Sequence, residues 1–110
     1  MVKAKNTTNK YIQQMVKRIV EQFEPDKIIL FGSHARGQAG ADSDVDLLVV
    51  MPVSGSKREK AIEVAVALHD IPVAKDVIVS TPDDFKWRKE VIGTIEHPAA
   101  REGKLLYARK

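Results

Sequence analysis

The chain has 110 residues, 44% of them hydrophobic and 30% charged, with a formal net charge of +3; this is enough for one domain with one core, in the range of ordinary soluble proteins. The lack of cysteine excludes disulfides and thiolate metal sites, and no apolar run approaches membrane-spanning length. Lys and Arg are spread along the chain, so the mild basic excess suits a polyphosphate or an acidic partner, and nucleic acid is not expected.

Residues 1–10 are polar, with three lysines and no apolar run behind them, so they do not read as a signal peptide and a cytoplasmic protein is expected. Residues 1–6 read as a loose tail, and Asn6, Thr7 or Thr8 as the cap of a helix reaching about Phe23. Its apolar positions, Tyr11, Ile12, Met15, Val16, Ile19, Val20 and Phe23, repeat at i, i+1, i+4 and make one buried stripe. Pro25-Asp26 breaks it, and Lys27–Phe31 reads as a strand. Residues 32–44 form a polar, glycine-containing connection. Val45–Met51 is a second strand, apolar enough to be covered on both faces. A turn at 52–56 leads to a helix over 57–69, ended by Ile71-Pro72, and then to a third strand over 75–79. Ser80-Thr81-Pro82-Asp83-Asp84 is a helix start, with a hydroxyl cap, proline at the first position and acids in the first turn. That helix carries Phe85, Trp87, Val91, Ile92 and Ile95 and fades near His97-Pro98 or a turn later. A short last strand covers Leu105–Tyr107. The order αβ(loop)βαβαβ is that of one α/β layer structure spanning residues 1–110 as a single domain.

Chemistry concentrates around the second strand. Side chains alternate along a strand, so Asp44 and Asp46 share a face, with Cα atoms roughly 6.5 Å apart. Their carboxylates suit divalent cations, and Mg²⁺ takes a few such oxygens plus phosphate and water. Taken alone, the pair reads equally as a turn cap and a solvated strand residue. An acid at the mouth of the buried run Leu47–Val50 needs compensation, however, and a metal supplies it. Gly32-Ser33, directly after the first strand, permits close backbone approach and offers a hydroxyl to a phosphate. It is neither a P-loop nor a dinucleotide fingerprint. Arg36 suits a phosphate, a surface ion pair or one of the aspartates. His34 has no partner at metal spacing, and His69 and His97 read as helix-end residues. Asp76 opens the third strand after a helical crossover. It suits a second metal contact and acceptance of a proton from an attacking hydroxyl; paired with Lys75 or water it would be inert.

The whole pattern, G-S-x-A-R-G, then S-D-x-D-L-L-V, then Asp76-Val77-Ile78-Val79, with a closing Arg101–Tyr107 segment, resembles the minimal nucleotidyltransferases of the polymerase beta-type superfamily. The resemblance implies an α+β fold with a mixed sheet flanked by helices. It implies that Gly32 and Ser33 bind the triphosphate, that Asp44 and Asp46 bind metal, and that Asp76 is the third, base-side carboxylate; Arg36 matches the motif arginine. It further implies ATP as substrate and two Mg²⁺ ions as cofactor. Larger superfamily members carry an extra domain for the acceptor. This chain has little material for one, so the acceptor is expected to be a protein. In the family that partner is a helical HEPN toxin, which the small enzyme counteracts as antitoxin by transferring AMP to a tyrosine. A non-catalytic antitoxin acting by contact and a small-molecule nucleotidyltransferase are the other readings, and a homo-oligomer suits either an enzyme or a binding module.

Overall fold

The computed structural model describes the backbone of residues 2–40 and 43–110 and the side chains of residues 8–40 and 43–110. Helix α1 (Val2–Phe23) buries Ile12, Met15 and Ile19 on the stripe its spacing predicts. It starts ahead of Asn6, Thr7 and Thr8, so these residues lie inside the helix; the 1–6 tail expectation gives way to helical backbone from Val2, and the remaining residue lies outside the described part. The helix closes on Glu24, at φ 49°, whose N–H donates to Val20 O at 3.2 Å. Strand β1 (Lys27–Phe31) follows, then a single helical turn, α2 (Ser33–Arg36), inside the segment expected to be a plain connection. Strand β2 (Val45–Val50) and helix α3 (Lys57–Ala67) come next. Ser56 caps α3 by accepting from Glu59 N–H at 3.1 Å. The helix ends two residues before His69, which sits in the following turn with Nδ1 2.8 Å from Val66 O.

Strand β3 (Lys75–Ser80) leads into helix α4 (Pro82–Arg88), whose start is the one read from sequence: Thr81 accepts from Asp84 N–H, and Pro82 stands at the first position. The single long helix expected after it is instead two. α4 stops at Arg88, Gly93 turns the chain at φ 101°, and helix α5 (Glu96–Glu102) begins anew. Thr94 organises the joint: its hydroxyl donates toward Arg88 O and Val91 O and accepts from His97 N–H. Pro98 then falls in the first turn of α5, where its missing N–H has no intrahelical acceptor to lose. The break leaves Trp87, Val91, Ile92 and Ile95 exposed; of the five apolar residues assigned to that helix only Phe85 is buried. Strand β4 (Lys104–Ala108) ends the fold.

The four strands form one mixed sheet in the order β3-β2-β1-β4, with β1 antiparallel to both β2 and β4, and β2 parallel to β3. Alternate residues feed two cores. Ile28, Leu30, Val45, Leu47 and Val49 pack with Met15 and Ile19 of α1 and Val64 of α3. Ile29, Leu48 and Val50 pack with Phe85 of α4 and Ala99 of α5. Burial on both faces is why β2 is nearly all apolar. This is the α+β arrangement with a mixed sheet flanked by helices that the sequence pattern implies.

Candidate active site

β1 runs antiparallel to β2 and β3 parallel to it, so the C-terminal end of β1 meets the N-terminal ends of both. Asp46 stands opposite Phe31 on one side and opposite Asp76 on the other. By strand alternation Asp46 lies on the face of Leu48 and Val50, and Asp76 on the face of Ile78, which is the face covered by α4 and α5; Asp44 stands just ahead of β2, close enough for its carboxylate to act on that of Asp46. The three acids singled out in the sequence therefore meet at one end of the sheet.

Asp46 is half-buried, while Asp44 and Asp76 are exposed. Burial, then the Asp76 and Asp44 carboxylates, push the Asp46 carboxyl above its ordinary value; His34 and Arg36 pull it back. Among the described residues, no hydrogen bond or ion pair engages any of the three carboxylates. Lys75, the candidate partner for Asp76, donates instead to Ile71 O and Val73 O, both at 2.9 Å.

Gly32 lies against this acid group. It adopts φ 76° and ψ −156°, a conformation open essentially to glycine alone, and a Cβ there would overlap Asp46 Oδ2. Ser33 follows as the first residue of α2. Arg36, at the end of that turn, is exposed; its Nε donates to Gln38 Oε1 at 3.2 Å, and its guanidinium lies 3.9 Å from Glu102 at the end of α5. It pairs with neither Asp44 nor Asp46. Glu102 is a neighbour that no spacing in the sequence indicates, since it comes from the far end of the chain. Its approach depends on Gly103, where a Cβ would overlap Ala99 O, Ile29 Cγ2 and Leu30 O, so only glycine lets the end of α5 sit this close to β1.

The donor set suits a hard cation: three carboxylates, unpaired among the described residues, beside a turn with no side chain in the way. The described residues hold no preformed cluster of three metal-ligating side chains. Mg²⁺ asks only one or two carboxylates of a protein when phosphate oxygens and water complete its shell. A groove of about 640 Å³, lined by Ile12, Val16, Val20, Leu105 and Tyr107, lies instead between α1 and β4 and is no part of the acid site.

The model of the nucleotidyltransferase domain family matches residues 12–101. No curated protein sequence matches the chain. Among solved structures, one assigned as a nucleotidyltransferase from Sulfolobus solfataricus superposes with a TM-score of 0.70 at 19% identity, over 98% of this chain and 86% of that one. A toxin–antitoxin structure with AMP-PNP gives 0.55 at 21% identity, over 89% and 73%. A mutant of the MntA-HpeT toxin–antitoxin gives 0.56 at 20%, over 89% and 72%.

Proposed function

The chain belongs to the nucleotidyltransferase domain family, and from that premise we propose that it transfers AMP from ATP, with Mg²⁺, to a hydroxyl of a partner protein, a tyrosine of a HEPN-type toxin that it counteracts as antitoxin. The observation that carries the reading is the register of β2 and β3, which sets Asp76 opposite Asp46, with the Asp44 carboxylate near enough to act on Asp46 as well. Likeness of fold to a toxin–antitoxin structure with AMP-PNP supports an adenine nucleotide as substrate and a toxin as partner.

In this reading Gly32 and Ser33 hold the triphosphate, the glycine by close backbone approach and the serine through its hydroxyl. Asp44 and Asp46 would hold Mg²⁺, with Asp76 completing the set. Bound there, Mg²⁺ supplies Lewis-acid stabilisation of the charge that builds on the phosphate oxygens. Asp76 takes the proton of the acceptor hydroxyl as that oxygen bonds to the α-phosphorus. The bond from α-phosphorus to pyrophosphate breaks, and pyrophosphate leaves. Arg36, on the same turn as Ser33, adds positive charge near the phosphates.

Incubation with labelled ATP, Mg²⁺ and the product of the neighbouring gene, the candidate toxin, tests the proposal. Label on the toxin, abolished by the Asp44→Asn/Asp46→Asn double variant, is the expected result. Toxin neutralised by that variant without label would point to an antitoxin acting by contact. Label on an added aminoglycoside, with none on the toxin, would point to a small-molecule acceptor.

A further inference from the structure

His34 makes a tie that the acids lack. It is the second residue of α2, and its half-buried ring sets Nε2 3.1 Å from the main-chain oxygen of Ser43. A carbonyl oxygen only accepts, so Nε2 carries the hydrogen and donates. Ser43 is held at its other groups as well: its N–H donates to Gly40 O at 3.2 Å, and its hydroxyl accepts from Gly40 N–H at 2.9 Å. Two residues on, buried Val45 donates its N–H to Ala74 O at 2.8 Å. Asp44 is thus suspended between two anchored residues, while its own carboxylate has no hydrogen bond among the described residues. Among those residues, the bond from His34 to Ser43 is also the hydrogen bond that joins α2 to the approach to β2. α2 follows directly on Gly32 and starts at Ser33, so the bond spans from one half of the site to the other.

We propose that His34 is a positioning residue: by donating from Nε2 to Ser43 O it sets the Asp44 carboxylate at a fixed distance from the turn that cradles the triphosphate. It touches no reacting atom. Without it Ser43 loses its tie to α2, and binding must restore the placement of Asp44 at an entropic cost. The inference rests on the nucleotidyl-transfer reading above and adds how this chain keeps the two halves of that site in register.

The test is calorimetric binding of Mn²⁺ in the presence of a non-hydrolysable ATP analogue, on the full chain, with melting followed alongside. In His34→Gln the side-chain amide nitrogen reaches about as far as Nε2; in His34→Asn it falls one carbon short, and His34→Phe has no donor. We expect His34→Phe and His34→Asn to weaken Mn²⁺ binding about tenfold, the size of one neutral hydrogen bond. His34→Gln should recover to within about threefold, and His34→Phe should add little in an Asp44→Asn background. Should His34→Phe fail to fold, the contrast between Asn and Gln decides. Wild-type binding in His34→Phe, equal losses in Asn and Gln, or full additivity with Asp44→Asn overturns the role of His34. If Asp44→Asn and Asp46→Asn leave Mn²⁺ binding unchanged, the metal-site reading fails and this inference fails with it. Loss in the aspartate variants with none in the His34 variants overturns this inference alone.

Discussion

Asp46 carries the tension of the site. Its carboxyl is half-buried beside two like charges, so its charged form is disfavoured in the folded chain. The sign follows. A folded-state pKa raised above the unfolded one gives no penalty below the unfolded value, and a growing one as pH rises through the folded value. Asp46→Asn should therefore raise the melting temperature of the metal-free protein at neutral pH, and the gain should vanish on acidification. The same change should abolish AMP transfer. Circular dichroism melts at several pH values, set beside the transfer assay, check both. A residue kept for stability alone would move the other way. Because protons and a cation compete for the Asp46 carboxylate, the Mg²⁺ concentration needed for half-maximal transfer should rise as pH falls. Gly32 is the complementary case. Gly32→Ala forces a Cβ onto Asp46 Oδ2 in a backbone region closed to alanine, so it should cost about 1–3 kcal/mol of stability and weaken binding of the ATP analogue, measurable by denaturation and calorimetry. The candidate residues Gly32, Ser33, Asp44 and Asp46 are legible in the sequence because D-x-D at the start of a strand and G-S after one are local patterns, and Asp76 because it opens a strand after a helical crossover. Glu102 beside Arg36 was not, because a contact between the two ends of a chain leaves no periodic trace.

At the scale of elements, the joint between α4 and α5 departs furthest from the sequence reading. Apolar residues at Phe85, Val91, Ile92 and Ile95 suit one long helix by spacing, yet Gly93 and Thr94 turn the chain and Glu96 fastens the turn. Glu96 is buried at 5% exposure, accepting from Ser80 Oγ at 2.8 Å and from Arg88 Nε at 3.1 Å. Burial raises its carboxyl, but Ser80, the backbone and Arg88 outweigh that and hold it below its ordinary value. That contribution is present above the unfolded-state pKa and is lost as pH falls through the folded one. Glu96→Gln should cost about 1–2 kcal/mol at neutral pH, with the difference from wild type closing on acidification, as read by urea denaturation at each pH. The strands fared better. β1 has the bounds read from sequence, and β2, β3 and β4 differ by a residue or so at their ends, since β-branched runs bounded by Pro, Gly and Ser leave little choice.

The whole molecule is one sheet between two helical layers, and the acid site depends on both. Leu47 faces the α1/α3 core and Leu48 the α4/α5 core, each fully buried. If the layers form one cooperative unit, Leu47→Ala and Leu48→Ala should each cost about 2–5 kcal/mol and shift a single urea transition. Two separated transitions in either variant would show the layers unfolding independently. The alternation of helices and strands, the closeness of Asp44 to Asp46, and the likeness to the nucleotidyltransferases needed no coordinates, because each rests on periodicity and spacing within a short stretch. The pairing of Asp76 with Asp46, the break before α5 and the brace from His34 to Ser43 came from packing. Strand register between distant segments, and the choice of which apolar residues stay in water, are settled only when two cores close on the same sheet.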